Sequence, residues 1–212
     1  MKLSELFGPS ADHTPDPFPD PKDDLAVEAG AGPQTVVLAG GCFWCTEAVF
    51  KPLDGVIEVA SGYAGGTADT ADYQTVCTGA TNHAEAIRIR YDPSRITYGQ
   101  LLKVFFAVAH DPTHLNHQGN DRGRQYRSAI FVASPRERAV GQAFIVQLDA
   151  AKLFPSPIVT TLEPLEAFYE AELYHQNFVA RNPSQPYVAA VALPKLEKLK
   201  KTFGDQLRKA SD

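Results

Sequence analysis

The chain has 212 residues, with 20 Lys or Arg against 25 Asp or Glu and a formal net charge of −5. A share of 44% hydrophobic and 21% charged residues is typical of a globular protein and excludes a disordered or fibrous one over most of this length. The mild acidity argues against binding to nucleic acid or to an anionic membrane, because phosphate contacts need a basic surface.

The cysteine content and the N-terminus indicate where the protein works. Three cysteines are too few for a disulfide scaffold. No apolar run is long enough to span a bilayer, and the acidic, proline-rich N-terminus lacks the apolar stretch of a signal peptide. We therefore expect a cytoplasmic protein whose thiols are available for chemistry.

Residues 1–33 predict an extended arm. They are rich in proline and aspartate, and from Pro15 to Pro21 every second residue is proline. This spacing blocks both helix formation and strand pairing. We expect a flexible, solvated arm, followed over residues 34–212 by a single domain.

Apolar periodicity and turn residues predict strands and helices that are interspersed along the domain. In chain order they are a strand at 35–39, a helix at 43–50, strands at 56–60 and 85–91, a helix at 101–110, a strand at 128–133, a helix at 135–153, a strand at 158–162, and helices at 165–181 and 195–207. Two helix starts carry capping signals, Thr97 with Gln100 and Ser134 with Glu137. Few, short strands predict an α+β fold, a two-layer α/β sandwich rather than a doubly wound parallel sheet.

Two long segments without strong periodicity, 62–84 and 111–127, are rich in Gly, Asn, Asp, Tyr and His. Loops of this length inside a compact domain are usually functional. We expect them to contribute side chains to a site.

The segment GGCFWC, residues 40–45, lies between a predicted strand and a predicted helix. Its glycines allow a sharp turn that places Cys42 in the first helical turn, where backbone N–H groups and the helix dipole favour a thiolate. A thiolate is the usual nucleophile of cysteine enzymes, and Phe43 and Trp44 would form an apolar pocket beside it. The alternative is a buried structural cysteine among core aromatics.

Metal binding is a second interpretation of the same cysteines. Four ligands for zinc would be Cys42, Cys45, Cys77 and His83. Another group, His110, His114 and His117, lies in a segment broken by a proline, so we expect solvated loop histidines there. Neither group has the regular spacing of a strong zinc motif, and we expect no metal.

Further motifs extend the pattern beyond the cysteines. Gly41-Cys42-Phe43-Trp44 followed by Glu47 resembles the signature of the A-type peptide methionine sulfoxide reductases. Matching motifs follow in order: GYAGG at 62–66, YQTVCTG at 73–79, HAE at 83–85, HDP at 110–112, QGND at 118–121, QYRS at 125–128 and YHQN at 174–177. The resemblance covers residues 35 to about 200, nearly the whole predicted domain.

The resemblance implies a ferredoxin-like sandwich and the reduction of methionine S-sulfoxide, free or in proteins, to methionine. It implies that Cys42 attacks the sulfoxide sulfur and that Glu85 protonates the oxygen, a poor leaving group until it is protonated. The remaining implied site residues are Tyr73, Tyr126 and Asp121, which hydrogen-bond around the oxygen, and Phe43 and Trp44, which hold the S-methyl group. No cofactor is implied.

Three positions depart from the family pattern. Asn82 and Cys45 stand where relatives often have glycine, and Val188 lies in the region where many relatives carry a recycling cysteine. No cysteine follows residue 77. We expect Cys45 to resolve the sulfenic acid formed on Cys42, the alternative being a small buried thiol. The partners implied are oxidised proteins, free methionine sulfoxide and the reductant thioredoxin, with the enzyme a monomer.

Overall fold

The computed structural model of the protein describes residues 18–27 and 30–209. Residues 1–17 and 28–29 of the predicted arm, and 210–212 at the other end, lie outside the described residues. The strands are β1 (Gln34–Gly40), β2 (Val56–Ala64), β3 (Ala84–Tyr91), β4 (His117–Gln118), β5 (Asp121–Arg122), β6 (Ser128–Val132), β7 (Thr161–Pro164) and β8 (Phe168–Glu170). The helices are α1 (Phe43–Phe50), α2 (Tyr73–Cys77), α3 (Tyr98–Val104), α4 (Pro135–Ala150), α5 (Phe178–Arg181) and α6 (Leu193–Phe203).

Six strands form one mixed sheet in the order β7-β6-β1-β3-β2-β8, and β4 pairs with β5 in a separate two-stranded ribbon. Within the six-stranded sheet only β6 and β7 pair in parallel. The central strand β1 is a short, β-branched apolar run, as expected of a strand buried on both faces. The chain is thus an α+β protein, as the sequence predicts.

The two faces of the sheet bury different side chains. Val36 and Ile89, which lie opposite each other on β1 and β3, pack in one large core with residues of α1, α3, α4 and α6. The other face carries a smaller cluster of mostly Val and Ala side chains, covered by Leu165 and Phe168. Because side chains alternate across a strand, this division follows directly from the apolar runs of the strands.

Both predicted helix caps are present. The Thr97 hydroxyl accepts from the backbone N–H of Gln100, whose side chain accepts from the N–H of Thr97 at 2.8 Å. The Ser134 hydroxyl accepts from the N–H of Glu137 at 3.1 Å. After Val104 the helix α3 continues as a wider π-helical turn, Phe105–Ala109.

The predicted helix at 165–181 is wrong over most of its length. The chain there forms the edge strand β8, which pairs with β2, then a series of turns, and only then the short helix α5. Leu165 and Phe168 are apolar because they cover the sheet rather than because they lie on a helix face. The predicted strand at 158–162 is β7, displaced toward the C-terminus to Thr161–Pro164.

Residues 18–27 of the predicted arm lie against α3 and α4. Asp24 accepts from the Gly99 N–H at 2.8 Å and from the Thr97 hydroxyl at 2.5 Å, while Asp20 pairs with Lys103 at 2.9 Å. A Cβ atom at Gly99 would lie 2.6 Å from an Asp24 oxygen, so glycine leaves the space that this carboxylate occupies. Asp24 therefore adds a second cap to the start of α3.

None of the helices within 18–27 and 30–209 combines the length and the apolar character needed to cross a bilayer.

We predict that Asp24→Ala lowers the free energy of unfolding by about 1 kcal/mol, the usual cost of a lost helix cap. Urea denaturation of the parent and the variant measures this difference in the free energy of unfolding. Asp23→Ala is the control, since the Asp23 side chain pairs with Arg136 at the solvent-exposed surface, caps no helix and should cost less. Equal losses in the two variants would contradict the capping role.

Candidate active site

The turn between β1 and α1 is built to expose the start of the helix. Gly41 has φ +84°, and a Cβ atom there would lie 2.5 Å from Gln118 Cγ, so only glycine fits. Cys42 is the N-cap of α1, with its carbonyl accepting from Cys45 N at 3.1 Å and its side chain making no capping bond. The Cys42 thiol is therefore not engaged by the helix end.

The Glu85 side chain takes the place of a helix cap. Glu85 is the second residue of β3, paired opposite Tyr63, and is only 2% exposed. Its Oε2 accepts from the Phe43 N–H at 3.0 Å. Burial raises the pKa of the Glu85 carboxyl to about 8, against the opposing effect of the Phe43 hydrogen bond. At neutral pH this carboxyl is mostly protonated and can donate a proton.

A cavity of about 180 Å³ lies over the Cys42 thiol and the Glu85 carboxyl. It is lined by Cys42, Phe43, Trp44, Tyr73, Glu85, Asp121, Tyr126 and Tyr187. The structure thus brings together in one cavity seven of the eight predicted site residues, the exception being Cys45. Tyr187 is an additional residue that the sequence analysis missed.

The long segments contribute two hydroxyl groups. Tyr73 begins α2, which Asp72 caps by accepting from Thr75 N at 3.0 Å. Tyr126 ends a short helical turn, Arg124–Tyr126, just before β6. Burial raises the pKa of both phenols, so both stay protonated and can donate hydrogen bonds.

Tyr187 connects the cavity to the second cysteine. Its hydroxyl donates to Asp121 Oδ2 at 2.5 Å, and the Cys45 thiol donates to the same hydroxyl at 4.0 Å. Asp121 enters the site from β5. Tyr187 was missed because it carries no local signal: it follows a proline at the start of the helical run that leads into α6, and it gains its role only through contacts across the fold.

The Cys42 and Cys45 thiols influence each other's ionisation. Burial, together with the neighbouring Cys45 thiol and the nearby Glu85, raises the pKa of the Cys42 thiol well above its usual range. The expectation that the helix start favours a Cys42 thiolate is therefore wrong for the substrate-free protein. The dipole of a short helix is outweighed by the cost of burying the charge.

The Trp44 ring is fixed by a stacking contact on its face and by a hydrogen bond at its edge. Its ring stacks on Phe178 at 3.7 Å and 7°, and its Nε1 donates to His175 Nδ1 at 3.0 Å. Phe178 follows Asn177, whose backbone N–H donates to both oxygens of the buried Glu47 carboxylate at 2.8 and 2.9 Å. Glu47 therefore connects the helix that follows Cys42 to the segment that carries Phe178. His175 and Phe178 are further residues that the sequence analysis did not assign.

Neither of the two groups of Cys and His residues considered as metal ligands forms a metal site among the described residues. Among the described residues, no three His, Cys, Asp or Glu side chains are grouped so that they could hold a metal ion. His83 instead bonds to the Thr67 carbonyl at 3.0 Å through Nε2. The expectation of a solvated His110 is wrong, because this ring is buried and bonds to Phe105 O and Ser128 Oγ. Burial lowers its pKa to about 3, so it is neutral.

A second, larger cavity of about 770 Å³ also reaches both cysteines. Lys195, on the face of α6 that borders this cavity, donates to the Ala109 carbonyl at 2.6 Å. The third thiol, Cys77, ends α2, the helix that Tyr73 begins, and influences the ionisation of the Tyr73 phenol. Cys77 thus lies closer to the 180 Å³ cavity than its position in the sequence suggests.

Comparisons with known proteins identify relatives over nearly the whole chain. A family model described as peptide methionine sulfoxide reductase matches residues 34–207. Peptide methionine sulfoxide reductase MsrA 2 of Synechocystis sp. is 49% identical over 196 residues, which are 92% of each chain. The protein of the same name from Mesorhizobium japonicum is 52% identical over 176 residues, 83% of this chain and 90% of its own. The crystal structure of Mxr1 from Saccharomyces cerevisiae in reduced form has a TM-score of 0.67 and 34% identity, covering 74% of this chain and 90% of that one.

Proposed function

We propose a stereospecific repair reaction on one premise: the chain belongs to the peptide methionine sulfoxide reductase family and is an enzyme that reduces methionine sulfoxide. The substrate we propose is the S-epimer, free or within oxidised proteins. The observation that carries the proposal is the cavity in which a thiol, a protonated carboxyl, two phenol hydroxyls and an aromatic wall meet.

The proposed chemical step begins with attack by Cys42 Sγ on the sulfoxide sulfur. Glu85 transfers its proton to the sulfoxide oxygen, and the thiol proton of Cys42 restores the carboxyl. The sulfur–sulfur bond formed by this attack then breaks together with the sulfur–oxygen bond of the substrate, as the hydroxyl group passes to Cys42 Sγ and the electron pair returns to the methionine sulfur. Thiol and sulfoxide thus become sulfenic acid and methionine, with atoms and electrons balanced. A carboxyl with a pKa of about 8 suits this acid role at neutral pH.

The other cavity residues would stabilise and orient the substrate. Tyr73 and Tyr126 keep their protons and can donate to an oxygen that gains negative charge, the usual form of electrostatic catalysis. Asp121, already accepting from Tyr187, completes the polar side. The Phe43 and Trp44 rings provide an apolar wall for the S-methyl group. A polar side and an apolar side across one small cavity favour a single epimer.

For resolution we propose Cys45. Cys45 is 1% exposed, lies one helical turn from Cys42, and its ionisation is influenced by the Cys42 thiol. Condensation of the Cys42 sulfenic acid with the Cys45 thiol gives a disulfide and water. The dithiol thioredoxin would then reduce the disulfide and become oxidised in turn. The electrons come from thiols throughout, so the proposed cycle needs no bound cofactor.

Three broader properties complete the proposal. We propose a ferredoxin-like unit made of the inner strands β6-β1-β3-β2, with α1 and α3 as connections; the β-α-β-β-α-β order of these elements along the chain supports it. The domain from residue 34 onward would act as a monomer. Dependence on reduced thiols suits the cytoplasm.

The reaction is tested with separate S- and R-epimers of a methionine sulfoxide substrate and dithiothreitol. We expect consumption of the S-epimer alone, and we expect Cys42→Ser to abolish it, because a serine hydroxyl is a far weaker nucleophile. Chromatography of the methionine product measures both the epimer preference of the parent and the loss of activity in the variant. Residual activity within about tenfold of the parent would place the nucleophile elsewhere.

Glu85→Gln should slow the single-turnover rate by about 10²–10⁴ while leaving substrate binding intact, since the amide has no transferable proton. The parent rate should fall as pH rises through about 8, where the Glu85 carboxyl loses its proton. Rapid-quench measurements from pH 6 to 10 test both statements. A variant with the parent's rate and pH profile would remove Glu85 from the acid role.

Cys45→Ser should keep the first turnover but lose cycling driven by thioredoxin. Mass spectrometry after one equivalent of substrate should find a Cys42–Cys45 bridge in the parent and sulfenic acid in the variant. Cys77→Ser is the matched control and should still cycle. If instead Cys77→Ser alone stops cycling, Cys77 is the resolving residue.

A further inference from the structure

The 180 Å³ cavity is too small for a drug-sized ligand and suits one side chain. If it takes the end of a methionine sulfoxide side chain, as proposed above, the backbone of a polypeptide substrate must cross its mouth. Neighbouring residues of that polypeptide then rest on the surface around the mouth.

Next to the mouth lies an apolar surface formed by Leu173 and Tyr174, which we call the rim. The Tyr174 ring meets the Tyr73 ring edge-on at 6.5 Å and lies 4.1 Å from the His175 ring. Tyr73 itself lines the cavity. Leu173 is 82% exposed, the most exposed large apolar side chain among residues 18–27 and 30–209, and Tyr174 is 52% exposed.

The turn that carries the rim is anchored on both sides. Before it, Glu172 accepts from the Tyr63 hydroxyl and from Tyr73 N, both at 2.9 Å. After it, the Gln176 side chain accepts from Ser61 N and donates to Ser61 O, both at 2.9 Å. Arg181 also donates to the Leu173 carbonyl at 3.3 Å. Leu173 is thus presented to solvent on an anchored support.

Single exposed leucines are common on protein surfaces, but this one directly precedes Tyr174, whose ring contacts the cavity residue Tyr73. Successive residues of an extended chain are about 3.3 Å apart, so the residues one and two positions from the methionine sulfoxide lie roughly 3–7 Å beyond the mouth. The Tyr174 ring, which packs edge-on against the cavity residue Tyr73, is therefore placed to meet a neighbouring residue of the substrate.

We propose that Leu173 and Tyr174 bind an apolar side chain next to the methionine sulfoxide in polypeptide substrates. The inference rests on the proposed function, since it needs methionine sulfoxide in the cavity beside Tyr73. The rim thereby makes the enzyme prefer oxidised methionines in apolar sequence, which a folded protein buries and an unfolded one exposes.

The test is Leu173→Ser in single turnovers without reductant, on two peptides and on N-acetylmethionine sulfoxide. In one peptide the methionine sulfoxide has two leucines on each side, in the other two glycines. We expect the variant to lower the preference for the leucine peptide over the glycine peptide about three- to tenfold, the effect of losing a partly buried leucine contact. Val146→Ser is the control, because Val146 is 57% exposed on the outer face of α4.

Three outcomes would overturn the inference. An unchanged preference means that the rim makes no contact with the substrate, and an equal loss on all three substrates means that the change disturbs the cavity. A loss confined to thioredoxin-driven turnover assigns the rim to the reductant. Failure of the proposed function itself is distinct, since the parent would then reduce none of the three substrates.

Discussion

The active site depends on one buried hydrogen bond, from the Phe43 N–H to the Glu85 carboxyl. It satisfies a backbone donor that every helix start leaves unpaired, and it does so with a side chain from the middle of the sheet. Because the partner comes from β3, the start of α1 cannot move relative to the sheet without orphaning both groups. The same contact therefore fixes the position of Cys42, the candidate nucleophile, relative to Glu85, the candidate acid.

A second set of contacts closes the site from the other end of the chain. The segment after β8 has almost no regular structure, yet it is tied to β2 through Gln176 and to α1 through the buried Glu47 carboxylate. It brings Phe178 against the Trp44 ring. Irregular backbone holds its position here because side chains replace the ladder of hydrogen bonds that a strand or helix would have.

The features that sequence predicted well are those with local signals. The turn before Cys42 follows from glycines between an apolar strand and a helix, and the Thr97 and Ser134 caps follow from residue type and spacing. The roles of Glu85, Tyr73 and Tyr126 came from family resemblance, and the structure brings all three to one cavity. No periodicity pointed to them.

The features that sequence missed or mispredicted depend on distant contacts. The Trp44–His175 bond spans 131 residues, and Asp121 and Tyr187 are 66 residues apart. The ionisation of Cys42 was mispredicted for the same reason: the helix dipole is a local property, whereas burial is decided by the whole fold. The helix at 165–181 was predicted wrongly because the apolar residues there are spaced to cover the sheet rather than to form one face of a helix.

Trp44 is the only tryptophan of the chain, and it lies in the wall of the cavity with its indole N–H bonded to a neutral histidine. The tryptophan fluorescence of the protein therefore originates at the site itself. Protonation of His175, a rearrangement of the first turn of α1 or loss of the Phe178 stack each changes the surroundings of this one fluorophore. The enzyme carries its own optical probe at the position where its chemistry is proposed to occur.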